Sequence, residues 1–209
     1  MTGPTANRLS CLNSGWTITW QGNREDLYPQ EKFTILEAIR AKVGEKNVTY
    51  IPGADFERVI DIEAGKAAAL EADVVVACIG EPAYCETPGN IPDLRLPEAQ
   101  TELVRALEES GKPVVLVLAE GRPRVIRPIV DDAAAVLMAY LPGLEGGIAV
   151  ADVLFGDVNP SGKLPITYPR YPNDLTLCDH KYSEEHEHNQ YNPEWPFGFG
   201  LSYTKFGYS

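Results

Sequence analysis

The stretch Asp73-Val-Val-Val-Ala-Cys-Ile79-Gly80-Glu81-Pro-Ala-Tyr84-Cys85-Glu86-Thr-Pro-Gly89-Asn-Ile-Pro-Asp-Leu-Arg95-Leu96-Pro97 decides how the 209 residues fold. Residues 73–79 are a short, continuous apolar run, rich in valine and bounded by Gly80. Such a run reads as a strand buried on both faces, the signature of a parallel sheet. Residues 80–95 have no apolar period and hold three prolines and two glycines, so they read as a long irregular loop. Pro97 then opens a helix, where its fixed φ and missing N–H cost nothing. In an open α/β sheet, ligands bind outside the carboxyl ends of the strands, and a long loop there is more often functional than not. This loop carries Glu81 and Glu86 among apolar and aromatic neighbours. In such a setting a carboxyl group can hold its proton and serve as a general acid.

The same alternation extends in both directions. Residues 97–110 place Leu103, Val104 and Leu107 on one helical face and stop at Gly111. Residues 113–119 and 134–141 are two more apolar strands, with a short helix over 125–130 between them. Upstream, 62–72 is an alanine-rich helix, and 47–52 reads as a short strand. Residues 30–43 read as a helix with Phe33, Leu36, Ile39, Ala41 and Val43 at approximately helical spacing, ended by Gly44. Residues 145–155 form the last helix, closed by Gly156. Residues 164–167 read as an edge strand, because Pro165 cannot donate to a central ladder. Strands alternating with helices imply right-handed βαβ units. The expected architecture is therefore α/β: a three-layer sandwich, one mostly parallel sheet with helices on both faces, in a single domain over 1–209. The turn-forming Gly3-Pro4-Thr5-Ala6-Asn7 has no apolar run ahead of it, so the sheet is expected to lack a first strand before Gly3.

A net charge of −12 argues against nucleic acid and against anionic membrane surfaces as partners, and leaves a neutral ligand such as a sugar open. No apolar run approaches the ~20 residues of a membrane span. The start at Met1 has neither the basic residues nor the apolar core of a signal peptide. Cys11, Cys78, Cys85 and Cys178 show no ligand-like spacing and are expected as free thiols, with Cys78 in the core. Neither phosphate-binding glycine pattern, G-x-G-x-x-G or G-x-x-x-x-G-K-[ST], opens a helix here, and no G-x-S-x-G marks a nucleophilic serine. His180, His186 and His188 with Asp179, Glu184, Glu185 and Glu187 resemble a ligand cluster. Yet histidines at i, i+2 point the same way only on a strand, and the segment is very polar, so it reads as a solvated loop with no metal. Trp16 and Trp20 sit between Gly15 and Gly22 in a polar stretch. Flat rings with a polar edge suit the two faces of a pyranose; buried packing anchors are the other reading.

Four segments carry a resemblance. They are residues 15–22 (GWTITWQG), 79–87 (IGEPAYCET), 141–165 (LPGLEGGIAVADVLFGDVNPSGKLP) and 195–204 (WPFGFGLSYT). Together and in this order they resemble the C-terminal α/β sandwich domain of family-3 glycoside hydrolases, the β-glucosidases and exo-β-glucanases. The resemblance implies a retaining β-glycosidase that hydrolyses terminal β-D-glucosyl residues in a cleft shared by two domains. An N-terminal (β/α)8 barrel, which these residues do not hold, would supply the nucleophilic aspartate. The present domain would lend the general acid/base glutamate, which by the G-E-x-x-Y-x-E-T match is Glu86. By the G-W-T-I-x-W-Q-G match, Trp16 would stack on the sugar at the +1 subsite. The residue types suit the chemistry, since a retaining enzyme needs two carboxyls ~5–5.5 Å apart, one nucleophilic and one a proton donor.

Glu81 is the rival acid; being nearer the strand end, it is expected to orient the loop by accepting backbone N–H bonds. The third and fourth motifs are expected to be structural, with glycines for tight turns and aromatics for core filling. The implied partners are a β-glucoside or β-glucan oligosaccharide and the barrel domain, with no cofactor and no metal. The implied placement is extracellular or periplasmic, and the domain alone is expected to be inactive. The competing expectation is a non-catalytic sugar-binding or scaffold module of the same fold.

Overall fold

The computed structural model describes residues 1–172 and 192–207. Strands β1 (Val75–Gly80), β2 (Val114–Ala119) and β3 (Ala135–Met138) form a parallel sheet in that order. Ala77 lies opposite Leu116, and Leu116 opposite Val136. Strand alternation then divides the core in two. Val75, Ala77 and Ile79 of β1 and Val114, Leu116 and Leu118 of β2 belong to one apolar cluster; Cys78, Val117 and Ala119 belong to the other.

Helices α3 (Ile62–Leu70), α4 (Glu98–Glu108) and α5 (Arg127–Val130) cover the first face, through Ala69, Leu103, Val104, Leu107 and Ile129. Helices α1 (Ser10–Asn13), α2 (Ile35–Val43) and α6 (Gly146–Phe155) cover the second, through Leu12, Ile35, Ile39, Val150 and Ala151. Helices on both faces of a parallel sheet make the three-layer sandwich expected from the alternation. Among the described residues no helix is long and apolar enough to cross a membrane.

The helix expected over 30–43 begins late, at Ile35, because Thr34 and Glu37 form a reciprocal capping box that fixes its first turn. Pro97 is not inside α4 but caps it, with φ −53° and ψ 142°. The strand expected over 47–52 is not formed. Its backbone instead flanks the chain start: the Met1 amine donates to Thr49 O (2.7 Å) and the Ile51 N–H to Met1 O (3.1 Å). On its other side Thr2 bridges Ala77 in parallel, through Thr2 N–H to Val76 O (3.0 Å) and Cys78 N–H to Thr2 O (2.9 Å). Met1, Thr2 and Gly3 thus run between β1 and 47–52, with a further bond from the Gly3 N–H to Pro52 O (3.1 Å), and these contacts do not build a strand ladder with 47–52.

The edge strand expected over 164–167 is also absent. That backbone runs antiparallel to the 195–199 segment, with Leu164 N–H to Phe199 O (2.8 Å) and Tyr168 N–H to Trp195 O (2.9 Å), joined by one bridge at Tyr168. Trp195 packs edge-on against the buried Tyr168 at 5.1 Å. The other aromatics of that motif do not fill the core as expected: Phe197, Phe199 and Tyr203 are exposed, since the segment lies over the outside of the sandwich. Cys11, Cys78 and Cys85 are unpaired, and burial pushes the Cys11 and Cys78 thiols up to about 12. Cys178 lies outside the described residues.

Candidate active site

The loop after β1 is fixed first at its foot. Gly80 has φ 142°, and a Cβ there would lie 2.0 Å from Ala119 O, so only glycine lets β1 pass this close to β2. The Gly80 N–H donates to Gln100 Oε1 (2.9 Å), and its carbonyl accepts from Gln100 Nε2 (3.0 Å). The Glu81 N–H donates to Ala119 O (3.0 Å). The Glu81 side chain, 6% exposed, pairs with Arg122 Nε (3.0 Å) and Arg124 Nη1 (3.3 Å) and accepts from the Tyr84 hydroxyl (3.0 Å). Arg122 lies over the Tyr84 ring at 4.1 Å, donates to its hydroxyl (2.8 Å), and donates through Nη2 to Gly89 O (2.6 Å). One guanidinium thereby holds both limbs of the loop. Glu81 sits where a loop-orienting residue would, but its partners are guanidinium and phenol groups, not the backbone N–H groups expected from the sequence. Burial, reinforced by Glu81, pushes the Tyr84 phenol up to about 12.

Glu120, directly after β2, belongs to the same rim and was not singled out by sequence reasoning. It is fully buried and accepts from the Tyr168 hydroxyl (2.9 Å) and the Arg124 N–H (3.2 Å). Burial raises its carboxyl to about 8, so it keeps its proton at neutral pH. The pattern Glu120-Gly-Arg122-Pro-Arg124 at a strand's carboxyl end was the available signal.

The crest of the loop is joined to the loop that carries the tryptophans. The Cys85 N–H donates to Gln21 Oε1 (3.1 Å), and the Cys85 carbonyl accepts from Gln21 Nε2 (3.2 Å). Ser14 Oγ donates to Tyr84 O (2.8 Å), and Cys85 Sγ donates to Trp20 O (3.0 Å). Trp16 N–H to Trp20 O (2.8 Å) closes the tryptophan loop on itself. Among the described residues, four of the five non-glycine residues with positive φ lie in these two loops: Ser14, Trp16, Ile18 and Glu86. Such conformations cost of order 1–3 kcal/mol each and concentrate at functional sites. Glu86 takes φ 53° and ψ −146°, and its carbonyl accepts from the Gly89 N–H (2.8 Å) in a tight turn.

Trp16 is 73% exposed and Trp20 is 49% exposed, so neither is a core anchor of this chain. Glu86 is exposed too. The apolar surroundings expected for it are not provided here, because the Tyr84 ring turns inward onto Arg122. The structure therefore places Trp16 and Glu86 on two loops stitched together at the carboxyl end of β1, and both side chains face outward. Among the described residues no cluster of His, Cys, Asp and Glu could hold a metal ion, and His180, His186 and His188 lie outside them.

Comparison with known proteins adds a family to this geometry. The chain is 42% identical to a lysosomal β-glucosidase of Dictyostelium discoideum, over its whole length and 26% of the relative's. It is 33% identical to a periplasmic β-glucosidase of Salmonella typhimurium, covering 98% of the chain and 31% of that protein. A β-xylosidase of Formosa agariphila is 36% identical over 86% of the chain and 26% of its own length. The crystal structure of a β-glucosidase from Listeria innocua superposes with a TM-score of 0.80 at 29% identity, over 98% of this chain and 29% of that one. The chain thus spans roughly a quarter to a third of the proteins it matches. The family profile of the glycosyl hydrolase family 3 C-terminal domain matches residues 1–203, and the chain belongs to that family.

Proposed function

We propose that this domain supplies the general acid/base, Glu86, and a sugar-stacking tryptophan, Trp16, to the active site of a retaining β-glycosidase that removes terminal β-D-glucosyl residues. The nucleophile comes from a separate (β/α)8 barrel domain, and the present domain hydrolyses nothing alone. The observation that carries the reading is the conformation of Glu86. It is an exposed carboxylate in strained backbone, on a clamped loop at the carboxyl end of a parallel strand, joined to a loop that presents exposed tryptophan. Similarity to β-glucosidases supports the substrate class. The exposed Trp16 and Trp20 would equally serve a non-catalytic sugar-binding module, and that reading differs in giving Glu86 no kinetic role.

In the reaction Glu86 donates a proton to the glycosidic oxygen as the barrel nucleophile attacks the anomeric carbon. The resulting glycosyl-enzyme is then opened by water, from which Glu86 takes a proton. The barrel wall supplies the dry surroundings that this domain leaves open around Glu86. In the intact enzyme Glu86→Ala is expected to slow hydrolysis of alkyl glucosides by roughly 10²–10⁴-fold. Glycosylation from a substrate with an acidic phenol leaving group changes much less, because that oxygen scarcely needs a proton. Azide then accelerates turnover of the activated substrate and yields the β-glycosyl azide, since an anion needs no base. Wild-type behaviour of Glu86→Ala, or the same two signatures in Glu81→Ala instead, contradicts the assignment. Hydrolysis of an aryl β-glucoside by the highly purified domain, abolished by a substitution within it, contradicts the need for a barrel.

A further inference from the structure

We infer that Gln21 is a positioning residue for Glu86, acting through the backbone of Cys85; the inference rests on Glu86 being the acid/base. The geometry is specific. The Gln21 carboxamide faces the Cys85 peptide groups with Oε1 accepting from N–H (3.1 Å) and Nε2 donating to C=O (3.2 Å), and Nε2 also lies 3.4 Å from Cys85 Sγ. Only one orientation of the amide satisfies both backbone groups, so the hydrogen-bond pattern itself assigns it. This pairing imitates one rung of a β-ladder. It is made to the residue directly before Glu86, at the point where the chain enters φ 53°.

The rest of the crest explains why such a rung is needed. Glu86 has no side-chain hydrogen bond at the turn it opens, and its backbone conformation is one that a non-glycine residue leaves unless held. Gln21 holds it from the side of the tryptophan loop. Gly15 lies so close that a Cβ there would sit 2.4 Å from Cys85 Cβ, and the Trp20 carbonyl accepts from Cys85 Sγ at 3.0 Å. The proton donor and the aromatic platform therefore share one support. A general acid displaced by about 1 Å from its reacting oxygen can lose about 10²-fold in rate, which sets the scale of the expected effect.

The test is a double-mutant cycle in the intact enzyme with two substrates, an alkyl glucoside and an aryl glucoside whose phenol is acidic. Gln21→Met keeps the length of the side chain and removes both hydrogen bonds. It is expected to slow the alkyl glucoside by about 10–10²-fold and the activated aryl glucoside by much less, with a melting temperature lowered by no more than about 6 °C. In a Glu86→Ala background Gln21→Met is expected to add nothing, because a residue that works through Glu86 has nothing left to position. If Gln21→Met does not fold, Gln21→Glu keeps the acceptor for the Cys85 N–H and is expected to show the same leaving-group dependence, more weakly. Equal slowing of both substrates, additivity with Glu86→Ala, or wild-type rates overturn the positioning role. If Glu86→Ala itself shows no dependence on the leaving group, the underlying acid/base reading falls, and this inference falls with it.

Discussion

Gln100 and Gln21 each hold one residue of the same loop by its N–H and its carbonyl, Gln100 at Gly80 and Gln21 at Cys85. Gln100 is fully buried under the sheet end, whereas Gln21 is partly exposed on the rim. Water can replace the lost bonds at the rim but not under the sheet. The same chemistry thus stabilises the fold in one place and fixes a geometry in the other. Around the foot lie buried Glu81, Arg124 and Glu120; around the crest lie exposed Trp16 and Glu86. Foot substitutions should therefore act on stability and crest substitutions on rate.

The strongest test of that division is Glu81→Ala, which leaves the buried Arg124 guanidinium without its carboxylate. A loss of about 3–5 kcal/mol in chemical denaturation is expected; a loss below about 1 kcal/mol would remove the foot from the account. Gln100→Met comes next, with about 1–3 kcal/mol for each buried backbone group left unmet, against at most about 1.5 kcal/mol for Gln21→Met. Equal losses from the two glutamine variants would erase the contrast between them.

Glu120 gives a pH-dependent effect. Its carboxyl is raised from an ordinary 4.5 to about 8 in the folded protein, chiefly by burial. The folded state therefore binds a proton that the unfolded state has released, and this contribution to stability is full below about 4.5 and disappears as pH rises to about 8. Glu120→Gln keeps a neutral side chain at every pH. Its melting temperature relative to the parent should be higher at pH 8 than at pH 5, and a pH-independent difference would mean that Glu120 titrates normally. Trp16→Ala marks the small end: stability should change by less than about 0.5 kcal/mol, while the affinity of the intact enzyme for β-glucosides falls. A cooperative loss of structure would make Trp16 a packing residue after all.

These contrasts were only partly legible in the sequence. The continuous apolar runs at 75–80 and 114–119 announced buried parallel strands, and Gly44 and Gly156 closed their helices as expected, whereas α4 ends at Glu108 with Glu109 as its cap, before the expected stop at Gly111. Local patterns of this kind depend on neighbours a few residues away. The 47–52 segment failed as a strand because strand status depends on the partner, and its backbone bonds to Met1 and Gly3 do not build a ladder. Glu81 and Glu86 were visible as candidates, but what distinguishes them was not. The arginines that bury Glu81 lie 41 and 43 residues away, and the glutamine that braces Cys85 lies 64 away. The positive φ of Glu86 leaves no compositional trace, since the position holds a glutamate where backbone preference alone would choose glycine.

That last mismatch sets two selective pressures against each other. Glycine at position 86 would relax the peptide by roughly 1 kcal/mol and should yield a domain that resists heat better than either the parent or Glu86→Ala, yet has no proton to give. A screen for thermostability would keep that variant, whereas, on the role proposed for Glu86, a screen for turnover would discard it. On the acid/base role proposed for Glu86, stabilising this domain by directed evolution therefore requires an activity filter at that position, because heat resistance alone selects for its loss.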